Sequence, residues 1–144
     1  MGECIRDVSG NVWFRLNDRG TWEEGQSNCH KIHPNSNLAS SHSRADDRIL
    51  IALGRDETSQ LVQASIGLHR TRMQVPKTAC KDSYHWIDGS PMDYDGWKVY
   101  QPDCGPEHCV EIVTFRSTTG WNDKLCGYAS PAICKIRPAH TVPA

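Results

Sequence analysis

The chain has 144 residues, 16 Lys and Arg against 17 Asp and Glu, a net charge of −1, seven cysteines and seven histidines. That length suits one domain with one sizeable core. The balanced charge and the lack of a basic run argue against nucleic acid as a partner, and with no long apolar stretch no membrane insertion is expected.

Seven cysteines in so short a chain point to disulfides and to an oxidising, secreted or extracellular setting. The histidines raise zinc as the alternative reading. No Cys-x-x-Cys or His-x-x-x-His pair occurs, which gives structural zinc poor support. Met1-Gly2-Glu3 opens without an apolar h-region, so the expectation is a removed secretory signal and an added initiating Met.

In chain order, Asn11 to Leu16 is apolar and aromatic and predicts a strand. Asn17 to Gly20 predicts a turn. Thr21 and Glu24 form a capping box that starts a helix running to about Ile32, which His33-Pro34-Asn35 ends. Leu38-Ala39-Ser40 is short and extended. Ser43 with Asp46 predicts a second capping box, and Ile49, Leu50 and Leu53 carry helical spacing to Gly54. Asp46-Asp47 on that helix reads as a solvated face. Ala64 to Leu68 is a strand, and 69–84 is basic and irregular. His85 to Pro91 is a strand end with a turn. Residues 92–108 form a long loop without periodicity, of the kind that is functional or disordered. Val110 to Phe115 and Ala132 to Ile136 are strands, and His140 onward is a frayed tail.

The long loop holds Gln101-Pro102-Asp103 and Glu107, and Asn122-Asp123 follow downstream. Together they supply three carboxylates and two amides, all hard oxygen donors suited to calcium, which takes about six to eight oxygen ligands. An X-Pro bond can be cis at modest cost, and a cis bond before Pro102 would turn Gln101 and Asp103 toward one point. Alone, the tripeptide reads as a polar turn; with Glu107 before Cys109 and Trp121-Asn122-Asp123 before Cys126 it reads as a site. No Ser-His-Asp ordering, phosphate loop or His-Glu-x-x-His motif stands out, so no enzyme is expected.

This combination resembles the C-type lectin-like domain. Thr21 to Gln26 before Cys29, Leu38 to Ser43, Ser65-Ile66-Gly67-Leu68, Trp86 to Pro91, Trp97 and Ala132 to Lys135 match its ordered motifs. Ser65 departs from the pattern, standing where the family has Trp. The resemblance implies an α+β fold with two helices, two small antiparallel sheets and a long loop region carrying the site, over residues 1–137 with a tail at 138–144. It implies disulfides Cys29–Cys134 and Cys109–Cys126. Cys80 and Cys104 both lie in the loop region and suit a loop-to-loop bridge. Cys4 is then left over, either bonded to another chain as a homodimer or a free or capped thiol.

The resemblance further implies one Ca2+ bound by Gln101, Asp103, Glu107, Asn122 and Asp123, which are also the carbohydrate-binding residues. Cys104 and His108 stand where many members keep an auxiliary calcium site, and both are poor calcium ligands. Gln-Pro-Asp resembles the galactose type, so the expected partners are glycans bearing galactose or N-acetylgalactosamine. The usual aromatic after the tripeptide is missing, with Tyr100, Tyr84 and His85 as candidate substitutes. Alternatives on the same fold are a calcium-dependent antifreeze protein and a protein-binding module.

Overall fold

The structure is a computed structural model that describes residues 4–71, 75–106 and 108–138. Its elements are β1 (Cys4–Arg6), β2 (Val12–Gly20), α1 (Trp22–Ile32), β3 (Ser36–Leu38), α2 (Arg44–Gly54), β4 (Gln63–Arg70), α3 (Lys77–Cys80), β5 (Tyr84–Trp86), β6 (Cys109–Phe115), β7 (Thr118–Lys124) and β8 (Ser130–Ile136).

Two antiparallel groups of strands make up the sheet. β1, β2 and β8 form one, with β3 added on β8; β4, β6 and β7 form the other, with β5 added on β4. They meet at one parallel pairing, Ser65 with Ala132. The fold is thus the expected α+β arrangement, with its two antiparallel groups fused at a single point.

Both long helices start where their caps place them. At α1 the Thr21 side chain accepts the Glu24 N–H while Glu24 accepts the Thr21 N–H at 2.9 Å, the reciprocal box. At α2, Ser43 accepts the Asp46 N–H at 3.0 Å. There the Asp46 carboxylate reaches back to the His42 N–H instead, so the box is not reciprocal. Leu50 and Leu53 turn the apolar stripe of α2 onto a core of Trp13, Ile66, Val110, Ile112, Trp121 and Ile133. α1 covers a second cluster of Phe14, Trp22, Leu38 and the Cys29–Cys134 bridge.

Several expectations need correction. Residues 17–20 continue β2 rather than turn, because Gly20 still pairs with Ser130 across a register shift. The stretch 118–124 is a strand, β7, paired along its length with β6. Asp47 is no solvated carboxylate: it accepts the Ser41 hydroxyl at 2.6 Å and the Trp121 indole N–H at 3.1 Å, and burial pushes its carboxyl up. The tail from 139 onward lies outside the described residues.

Where the family motif has Trp, Ser65 opens a buried polar cluster. Lys124 Nζ donates to Ser65 Oγ and Ser130 Oγ, both at 2.8 Å. Burial depresses the Lys124 ammonium and raises the Glu111 carboxyl nearby, while their opposite charges partly offset both shifts.

Candidate functional site

The long loop is pinned to β7 before it reaches the tripeptide. Trp121 N–H donates to Gly96 O at 2.9 Å, and Lys98 N–H donates to Trp121 O at 3.0 Å. Only glycine allows this approach, since a Cβ on Gly96 would lie 2.3 Å from the Trp121 ring. Lys98 Nζ then caps the β6–β7 hairpin through Phe115 O and Thr118 O. Gln101 N–H returns to Lys98 O at 3.0 Å, closing a turn with Tyr100 at φ 66°.

The Gln101–Pro102 bond is cis. The side chains flanking the proline meet, with Gln101 Nε2 donating to Asp103 Oδ1 at 3.4 Å. Asp123 faces them from the end of β7 and is 3 % exposed. Its Oδ1 accepts the Asp103 N–H and its Oδ2 the Cys104 N–H, each at 2.9 Å. Tyr84 Oη also donates to Oδ2, at 3.2 Å. Burial first, and then the Asp123 charge, push the Tyr84 hydroxyl well above its ordinary range, so it remains a donor at any physiological pH.

Gln101, Asp103 and Asp123 are therefore brought together. Asn122 is adjacent in sequence, but its side-chain amide donates to Asp123 O at 3.1 Å and also bonds Glu111. Glu107 lies outside the described residues. The donor set fits a hard cation on one specific observation: Gln101 Oε1 is buried with no hydrogen-bond partner among the described residues. A buried acceptor without a donor, beside the Asp103 carboxylate, is what an oxygen-coordinated ion would satisfy. Cys104 is bonded to Cys80, and the His108 ring bonds Pro106 O at 3.1 Å.

Two supports were invisible in the sequence. Arg70, 2 % exposed, donates to Gly105 O at 2.5 Å and lies over the Tyr84 ring; its backbone N–H bonds His108 O at 3.0 Å. It holds the loop after the tripeptide from beneath. Tyr84 does the same for Asp123. Neither support role carries a sequence signal, because Arg70 closes β4 and Tyr84 opens β5 on either side of a stretch without periodicity.

A Ser-His-Asp constellation exists elsewhere. His42 Nδ1 lies 2.7 Å from Asp93 Oδ1, and Nε2 lies 3.2 Å from Ser40 Oγ. Ser40, however, is fully buried and gives its proton to Asp88 Oδ2 at 2.5 Å. Its oxygen also faces Lys135 Nζ at 3.2 Å. A nucleophile needs access to substrate and a base aimed at its proton; Ser40 has neither.

The Lectin C-type domain family model matches residues 18–136. A C-type lectin galactose-binding isoform from Pseudechis australis is 33 % identical over 131 residues, covering 90 % of this chain and 78 % of the relative. C-type lectin BML-1 from Bungarus multicinctus is 33 % identical over 119 residues, covering 81 % and 71 %. Among solved structures, the C-type lectin domain of murine dendritic cell inhibitory receptor 2, in complex with N-glycan, superposes with a TM-score of 0.75 at 23 % identity, covering 96 % of this chain and 98 % of that one. Herring type II antifreeze protein gives 0.75 at 24 % identity, covering 93 % and 96 %. With motifs, disulfides, fold and family model in agreement, the chain belongs to the C-type lectin domain family.

Proposed function

We propose that this protein is a secreted, calcium-dependent lectin that prefers galactose or N-acetylgalactosamine to mannose. The observation that carries the reading is the buried, unpartnered Gln101 Oε1 beside Asp103 and opposite Asp123. Gln101, Asp103, Glu107, Asn122 and Asp123 would hold the ion, which when bound supplies coordination positions for two neighbouring sugar hydroxyls. The chain's own groups then select the sugar. An amide N–H of Gln101 or Asn122 donates to a hydroxyl, and a carboxylate of Asp103 or Glu107 accepts from it. The galactose-binding name of the Pseudechis australis relative supports the sugar class.

Of the candidate aromatics, Tyr84 is committed to Asp123 and buried, and His85 stands against His69. Tyr100 is 93 % exposed and immediately precedes Gln101, so it is the ring available for stacking. Tyr100→Ala should weaken galactose binding by up to about tenfold, the loss of one aromatic contact.

The deciding experiment is elution from a galactose resin in calcium. Galactose should elute the protein better than mannose, EGTA should release it, and Gln101→Glu with Asp103→Asn should shift preference toward mannose. Retention in EGTA would refute the reading. A protein that neither binds sugar nor ignores calcium, but shows thermal hysteresis, would be a calcium-dependent antifreeze protein instead. We also propose a homodimer bridged through Cys4, which is exposed on the edge strand β1 and would raise avidity; a monomer band on a non-reducing gel would count against it.

A further inference from the structure

We propose that His69 and His85 form a two-imidazole site for a divalent transition ion such as Zn2+ or Cu2+, with His108 at its rim, separate from the calcium residues. The two histidines are directly opposed in the antiparallel β4–β5 pairing, where side chains stand side by side on one face. Their ring centroids are 4.3 Å apart and tilted by 58°. The Trp22 indole also stacks on His69, at 4.8 Å, and is itself fixed by Nε1 donating to Ile66 O at 2.7 Å. His69 is thus clamped with little freedom to turn away.

His69 Nε2 is buried and has no hydrogen-bond partner among the described residues. A buried ring nitrogen without a partner calls for an occupant. His85 is exposed, which leaves the pair open to solvent on one side. β4 also pairs His69 with Cys109, the first residue of β6, so His108 immediately precedes the neighbouring strand. Its Nδ1 bonds Pro106 O at 3.1 Å. A carbonyl can only accept, so Nδ1 carries the proton and Nε2 presents a lone pair, the usual arrangement of a metal-ligating histidine. Cys109 and Cys126 lie close to the His108 ring, but their sulfurs are bonded to each other and give no thiolate. Neutral imidazole ligands suit borderline ions rather than calcium. Spacing rules miss this site because His69 and His85 come from two strands and His108 from the loop residue that precedes β6.

The test uses the full chain in a Cys4→Ser background, to remove the free thiol, with saturating calcium present to occupy the lectin residues. Cu2+ is titrated while its paramagnetic spectrum and tryptophan fluorescence are followed. One equivalent should bind with imidazole nitrogen couplings and quench fluorescence, since Trp22 contacts His69. His85→Ala, a change at an exposed position, should weaken binding at least tenfold; His108→Ala should weaken it less. Zn2+ titrated by calorimetry should follow the same order. Binding that survives His85→Ala, or that disappears instead with His30→Ala and His33→Ala, would overturn the proposal, as would no stoichiometric binding.

Discussion

Each oxygen of the Asp123 carboxylate accepts a backbone N–H from across the loop, Asp103 on one and Cys104 on the other. Gln101 differs: its amide oxygen has no such partner. The two residues should therefore separate under mutation. Asp123→Asn leaves one acceptor oxygen for three donors, the Asp103 and Cys104 N–H groups and the Tyr84 hydroxyl, and should destabilise the protein by about 1–3 kcal/mol even in chelator. Gln101→Leu should remove a calcium ligand yet leave stability in chelator unchanged or higher, since it deletes a buried orphan. Urea denaturation in EGTA compares them, and equal stability of Asp123→Asn and wild type would contradict the hydrogen bonds. His69 gives a second residue-scale expectation. Burial, reinforced by His85 and His108, lowers its pKa from 6.5 to about 4. The folded protein disfavours the imidazolium that the unfolded chain accepts, so stability is intact above pH 6.5 and falls as pH drops toward 4. His69→Phe should flatten the wild-type slope between pH 6.5 and 5, before carboxylates dominate.

At the scale of elements, the two long helices α1 and α2 and the strands β4, β6 and β8 were legible because capping residues and apolar periodicity act locally, whereas the short α3 fell in a stretch read as irregular. β7 was not. Its Gly120, Asn122 and Asp123 are poor strand formers, and the hairpin turn before it uses Arg116 and Ser117 at φ 52° and 67° rather than the usual Asn-Gly. Pairing with β6 overrides both signals. The candidate ligands form a pattern in the sequence, but the groups that hold them, Arg70, Tyr84 and Gly96, act across the fold, and those roles leave no mark in local sequence. Ser65 shows the same limit: it reads as a lost aromatic, yet its place is taken by the Lys124 cluster. The disulfides differ in what they should control. Cys29–Cys134 spans 105 residues and Cys80–Cys104 spans 24, so chain entropy assigns about 5 and about 3.5 kcal/mol. Cys104 adjoins Asp103, whose N–H meets Asp123. Replacing Cys80 and Cys104 by Ala should thus cost less stability than opening the longer bridge, while weakening calcium binding more. Calorimetric titration of calcium into both double mutants checks the order; the reverse order would show that the bridge does not position the loop.

For the molecule as a whole, calcium should act as a folding ligand as well as a sugar anchor. The proposed ligands come from two stretches far apart in sequence, the loop at 101–107 and the end of β7, which the unfolded chain does not hold together. An ion that binds only the folded state stabilises it by RT ln(1 + [L]/Kd), about 2.7 kcal/mol at one hundred times Kd. For a chain of this size each kcal/mol moves the melting temperature by roughly 2–4 °C. Saturating calcium should therefore raise Tm by about 5–10 °C over EGTA, and the increment should grow with calcium concentration. Magnesium, which demands a tighter octahedral shell, should give much less. In hydrogen exchange the added protection should fall on amides of Asp103 and Cys104, whose acceptor Asp123 becomes fixed, whereas β2, β4 and β8 at the junction of the two strand groups should be slow with or without the ion. Gln101→Ala with Asp103→Ala should abolish the calcium increment and leave the EGTA melting temperature nearly unchanged. An increment that persists in that double mutant would place the ion elsewhere, whatever the protein does on a sugar resin.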